Sequence, residues 1–218
     1  MSGEYSIFIK TVLDNPKAIG TAFPASNHLA NKLVEDIDFN RTDKVLELNP
    51  STGILSRQLL SKLATQDQYL AIEQDSAFAD LLKDNLPFTD FETGTTDDIQ
   101  NHLKARNWEN LDYVFSGRAF NTQDDQDTQH LLENIAGACN EGAKFTTFQY
   151  LHSYKFAKAE QFRWLAQETF GPLIQTKLVL INLFPAFVFT WEKKASSEEA
   201  PVCIEGKEVD DEKETEVK

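Results

Sequence analysis

The chain has 218 residues, with 35 Asp and Glu against 21 Lys and Arg and a formal net charge of −14. At 41% hydrophobic it can bury a sizeable core, which excludes global disorder. The acidity argues against nucleic acid gripped through its phosphates and against a surface held to anionic lipid by charge alone. Two cysteines, Cys139 and Cys203, exclude a disulfide framework or a cysteine-rich zinc site and fit a reducing, cytoplasmic setting.

Residues 1–25 form an N-terminal segment with Ile7, Phe8, Val12 and Leu13 at roughly helical spacing and no basic, apolar signal sequence. Ser26 is the expected cap of a first helix bearing Leu29, Ala30, Leu33, Val34 and Ile37. A buried strand follows at 44–48, a turn at 49–53 and a helix with Ile54, Leu55, Leu59, Leu60 and Leu63 on one face. Further strands are expected at 68–73 and 90–93, with helices at 76–85 and 97–106. A strand at 111–115 ends at Ser116-Gly117. A helix then covers 127–140, taking in Cys139 as a core residue, and a β-branched and aromatic strand covers 143–150. A helix at 156–170 closes at Gly171-Pro172. Strands at 176–183 and 186–192, separated only by Phe184-Pro185, must run antiparallel. The run 178–191 is too short to cross a bilayer and contains Asn182 and Pro185, so any membrane contact is peripheral.

The last 24 residues, 195–218, hold nine acids and three lysines, a net of −6, and lack aromatic residues. They read as a solvated, disordered tail that contains Cys203, leaving −8 on the rest of the chain.

Repeated strand–helix alternation over 26–194 implies an α/β domain: a mostly parallel sheet with helices on both faces and an antiparallel hairpin at its end. Ligands of such sheets bind beyond the carboxyl ends of the strands, so the first βα turn, Asn49-Pro50-Ser51-Thr52-Gly53, is the place to look. Glu73 ends the next strand 20 residues after Gly53, the separation at which a carboxylate reaches a bound ribose.

Here the sequence resembles the class I S-adenosylmethionine-dependent methyltransferases. Their first motif runs Glu-x-Gly-x-Gly-x-Gly; the chain keeps Glu47 and Gly53 but has Asn49 and Ser51 at the first two glycine positions. Asn tolerates the left-handed backbone better than most residues, and Ser is small. The block from Asn15-Pro16 through Ile19-Gly20 to Pro24-Ala25-Ser26 resembles the bacterial phospholipid N-methyltransferases, as do Ala71-Ile72-Glu73 with Asp75, Ser116-Gly117, and Asn182-Leu183-Phe184-Pro185-Ala186. Arg118-Ala119 depart from that pattern. The ribosomal RNA adenine dimethyltransferases share the architecture, but their Asn-Pro-Pro-Tyr-type motif is absent.

The resemblance implies a Rossmann-like, seven-stranded fold and S-adenosyl-L-methionine as cofactor. Glu47 would face its amino group, and Asn49, Pro50, Ser51 and Gly53 its carboxylate. Glu73 and Gln74 would meet the ribose, Thr95 and Thr96 the adenine, with Asp97 a substitute for a missing acid. Ser116 and Gly117 would flank the methyl, and Phe120, Tyr150 and His152 would stand on the substrate side. No metal or general base is implied. Each residue also has a plainer reading: Ser116-Gly117 as an ordinary turn, Phe120 as core, His152 as surface. The implied reaction is N-methylation of a phospholipid or related amino-lipid, with the N-terminal segment as a lid or interfacial helix over the cofactor and the protein cytoplasmic or peripheral at the inner membrane face. A small-molecule or protein acceptor, or a degenerate binding protein, remains open. The net −8 on the rest of the chain and the lack of a basic helix favour a small-molecule or protein acceptor over a lipid approached at an anionic surface, and argue against nucleic acid.

Overall fold

The computed structural model describes residues 25–40, 44–87, 89–117 and 125–195. The expectations for the segment 1–24, for Phe120 and for the acidic tail with Cys203 fall outside them.

Helix α1 (Asn27–Leu33) is capped by Ser26, whose hydroxyl accepts the Leu29 backbone N–H at 3.2 Å. Strand β1 (Val45–Leu48), α2 (Ile54–Leu60), β2 (Tyr69–Glu73), α3 (Ser76–Asn85) and β3 (Phe91–Thr93) follow. Then come α4 (Ile99–Ala105), β4 (Leu111–Ser116), α5 (Asp125–Gly137), β5 (Cys139–Tyr150), α6 (Ala157–Phe170), β6 (Leu173–Val179) and β7 (Ala186–Glu192). The seven strands form one sheet in the order β3-β2-β1-β4-β5-β7-β6. Strands β1 to β5 pair in parallel, and β7 runs antiparallel to both β5 and β6. This is the Rossmann-like, seven-stranded arrangement that the resemblance implies.

The period of two in a strand sorts the core into two halves. Leu46, Leu70 and Val114 face Ile99, Leu132 and Phe162 from α4, α5 and α6. Their neighbours Val45, Ala71 and Phe115 face Leu29, Leu33 and Leu59 from α1 and α2. Both faces of β1 and β2 are buried throughout, as expected of strands covered by helices on each side.

Two boundaries differ from the sequence reading. The helix expected to run to residue 140 stops at Gly137, and Cys139 opens β5 opposite Leu111. Cys139 is buried, but as a strand residue; an irregularity in the pairing between Leu111 and Tyr113 lets β5 begin early. The final hairpin is also looser than expected. Strand β6 spans Leu173–Val179, so residues 180–185 form its connection to β7. The apolar run resembles a strand, but Asn182 bends it: its amide donates to the Phe184 carbonyl at 2.8 Å, and its side-chain oxygen accepts the Ser26 N–H at 3.2 Å.

Phe145 on β5 is fully buried and stacks on Phe170 at 5.3 Å and Trp191 at 5.9 Å, tying α6 and β7 to the sheet. Phe145→Ala is expected to lower the free energy of unfolding by about 3–5 kcal/mol, read from denaturant titration.

Candidate active site

Strands β1, β2, β4 and β5 end on one edge of the sheet, and the turn after β1 stands at its centre. Asn49 and Ser51 adopt φ of 55° and 53°, and Gly53 φ of 76°. The turn therefore uses the left-handed backbone of a glycine-rich loop with only one of its glycines, a conformation that favours glycine and strains a serine. At Gly53 a Cβ would also come within 3.0 Å of a Leu82 methyl.

The turn is tied to the second strand. Asn49 N–H donates to the Ile72 carbonyl at 2.9 Å. Glu73 Oε2 accepts the Ser51 N–H at 2.8 Å, and its Oε1 accepts the Asp75 N–H at 3.0 Å. Burial raises the Glu73 pKa, against the pull of these two donors. Glu73 is thus brought to the turn itself and is not among the residues lining the adjacent cavities.

Glu47 lies on the same face of the sheet as Val45, Tyr69 and Ala71. It is fully buried, and its Oε2 accepts the Tyr69 hydroxyl at 2.5 Å. Its Oε1 makes no hydrogen bond. Burial pushes its pKa up to about 7; the Tyr69 and Ser56 hydroxyls oppose this and the nearby Glu73 charge adds to it. With Pro50, Ser51, Thr52, Gly117 and Phe148 it lines a narrow cavity of about 30 Å³.

A larger cavity of about 180 Å³ opens on the opposite side of the turn. Asn49, Gln74, Thr95 and Thr96 line it, between the apolar side chains of Leu48, Ile72 and Leu131. Asp97, Asp127 and His130 complete the rim. Asp97 Oδ1 lies 2.8 Å from His130 Nε2 and accepts the Asn134 amide at 2.7 Å, joining the turn after β3 to α5. Asp127, His130 and Leu131 were missed from sequence. Their spacing of three and four puts them on one face of a helix starting beyond β4, a signal that was available.

Ser116 is buried, and its carbonyl accepts the Thr147 hydroxyl at 3.3 Å. Gly117 N–H donates to the Leu48 carbonyl at 3.0 Å, and a Cβ on Gly117 would stand 2.7 Å from the Asn49 carbonyl oxygen. The glycine lets the ends of β1 and β4 approach. Tyr150, the last residue of β5, stacks on His152 at 5.6 Å, and neither lines these cavities. Among the described residues no cluster of His, Cys, Asp or Glu could hold a metal ion.

This architecture, with its paired cavities at the carboxyl edge, is that of a class I S-adenosylmethionine-dependent methyltransferase. Residues 13–174 match the family described as ribosomal RNA adenine dimethylase, and the chain belongs to that family. A curated ornithine lipid N-methyltransferase from Singulisphaera acidiphila is 26% identical over 117 residues, 52% of this chain and 61% of that protein. The match thus spans about three fifths of the relative's length. Among solved structures, an O-methyltransferase from Bacillus cereus in complex with SAH superposes with a TM-score of 0.56 at 14% identity, covering 86% of this chain and 91% of that one. A complex of the Haloferax volcanii Trm112 methyltransferase activator and a methyltransferase gives 0.62 at 13%, covering 90% and 99%. S-adenosylmethionine is the cofactor of this class.

Two expectations follow from the geometry. In the unfolded chain the Glu47 carboxyl ionises near 4.5, whereas folded it holds its proton to about 7. The folded state then binds more protons across that window, so stability falls as pH rises through it. Glu47→Gln should remove a loss of about 3 kcal/mol between pH 4.5 and 8, seen by comparing unfolding midpoints of the two proteins. Gly117→Ala should force β1 and β4 apart, costing about 1–3 kcal/mol in the same measurement.

Proposed function

We propose that the chain transfers a methyl group from S-adenosylmethionine to the amine of an amino-lipid. The observation that carries the cofactor half is the buried, unpartnered Glu47 Oε1 in a cavity next to the turn after β1. A buried polar atom without a partner is costly, and a cationic ammonium is the complement that removes the cost. The other residues suit the rest of the cofactor. The larger cavity has apolar walls for a flat base and a rim of Thr95, Thr96, Asp97 and His130 for its polar edge. Gln74 lines that cavity where Glu73 is committed to the turn, and offers both a donor and an acceptor to the ribose.

When bound, S-adenosylmethionine supplies an activated methyl for in-line displacement, chemistry that rests on placement more than on a strong acid or base. The chain's own residues hold and orient. Glu47 would hold the ammonium, the left-handed turn fixes the Asn49 and Ser51 backbone, and Gly117 leaves the narrow cavity without a side chain at the end of β4. Support for an amino-lipid acceptor comes from the ornithine lipid N-methyltransferase match and from the resemblance of blocks 15–26 and 182–188 to phospholipid N-methyltransferases.

Glu47 must be ionised to hold an ammonium, so affinity for S-adenosylmethionine should rise about fivefold from pH 6 to pH 7, by calorimetry, below the range where an α-amino group loses its own proton. Glu47→Gln should bind more weakly and flatten that rise. With labelled cofactor, methyl transfer is expected to an amino-lipid in mixed micelles. Transfer confined to a peptide, to RNA or to a soluble amine would replace the lipid acceptor, and failure to bind S-adenosylmethionine or SAH would remove the cofactor reading.

A further inference from the structure

The connection between β6 and β7 is the most exposed apolar feature of the described fold. Leu180, Ile181 and Leu183 are 64%, 71% and 67% exposed, in a loop that projects from the sheet. Leu151, also exposed, is joined to the loop by its N–H, which donates to the Pro185 carbonyl at 2.7 Å. Because Tyr150 and Val179 both pair with Ala186, this loop stands at the same edge of the sheet as the turn after β1. Exposed apolar side chains grouped in this way mark a surface that meets something other than water.

Charge selects the occupant. The chain carries 35 acidic residues, yet residues 178–191 carry no charge. Residues 150–159, which supply Leu151, hold Lys155 and Lys158 and no acid, Glu160 being the first. Both lysines and the neighbouring Phe156 are exposed. An uncharged apolar loop, joined to a segment with two exposed lysines and no acid, matches an acyl layer beneath phosphate headgroups. A second copy is disfavoured, since each chain brings a net charge of −14.

We propose that the 180–185 loop, with Leu151, inserts into a lipid surface and presents the carboxyl edge of the sheet to it. This deepens the amino-lipid reading and rests on it for the identity of the acceptor, but docking is measurable apart from methyl transfer. Insertion depends on apolar burial, so two positive side chains suffice and strong basicity is not required. The competing occupant within the chain is the segment 1–24, since the nearby Ser26 N–H donates to Asn182 of this loop.

The test uses the full chain and vesicles of phosphatidylethanolamine with phosphatidylglycerol. The wild type should co-sediment with them. A variant combining Leu180→Ser, Ile181→Ser and Leu183→Ser should partition at least tenfold more weakly, as expected for three apolar side chains withdrawn from acyl chains, with S-adenosylmethionine affinity unchanged. Equal sedimentation of the two proteins, or none by the wild type, would overturn docking. In a Cys203→Ser background, an environment-sensitive dye on Ile181→Cys should shift to the blue only when vesicles are added. A blue signal without vesicles means the loop is already covered, by residues 1–24 if independent of concentration and by a second copy if dependent; either overturns the proposal. Docking without lipid methylation would leave the loop assignment standing and remove only the acceptor.

Discussion

Glu73 accepts the Ser51 N–H with one carboxylate oxygen and the Asp75 N–H with the other, so a single buried side chain closes the first and second βα turns together. Ser51 sits at a φ that costs an L-residue about 1–2 kcal/mol, and a hydrogen bond to a charged group offsets a penalty of that size. Without the tie the turn has neither glycine's freedom nor a reason to hold a left-handed backbone. With it, Asn49 is turned toward the larger cavity, and Pro50 and Ser51 toward the narrow one. The arrangement of the edge follows from that fixed turn.

The two buried acids of this edge have different environments and therefore different tasks. Glu73 is held by two backbone donors; Glu47 accepts the Tyr69 hydroxyl, feels the nearby Ser56 hydroxyl, and has no hydrogen bond at Oε1. Burial raises both pKa values, and the Glu73 charge adds to the rise at Glu47. The less satisfied group is the one whose charge state a ligand can change. Tyr69 makes this tolerable in the free protein: its hydroxyl can donate to Glu47 whether or not the carboxyl is ionised, so the protonated form, too, keeps a partner.

Most of the fold was legible because burial on both faces leaves continuous apolar runs at Val45-Leu46 and Val114-Phe115, and because Ser26 and Asp75 cap helices through local hydrogen bonds. What escaped depended on distant partners. Residues 180–183 have strand composition, and only the contact of Asn182 with Ser26, 156 residues away, shows why they leave the sheet. The helix ends at Gly137 because Cys139 pairs as strand with Leu111, a partner that no local pattern shows. At the site, Glu47 and the turn were visible as a motif. The engagement of Glu73 with Ser51 was not, because the sequence spacing that suits a ribose also suits a backbone N–H of the preceding turn.

The topology brings these features to one edge. Parallel strands send their βα turns, rich in backbone donors and short polar side chains, to the carboxyl end of the sheet. A further parallel strand after β5 would add another such turn. Strand β7 instead runs antiparallel between β5 and β6, so the edge receives a hairpin connection, and a hairpin loop need not start a helix or offer backbone groups to a ligand. Residues 180–185 are therefore free to carry apolar side chains outward, while the turn after β1 carries polar groups inward. Reversing one strand sets a polar cleft and an apolar projection side by side, on the part of the chain where acidic residues are absent from 178–191. A negatively charged chain can thereby offer an uncharged, apolar projection to a surface that repels its acids.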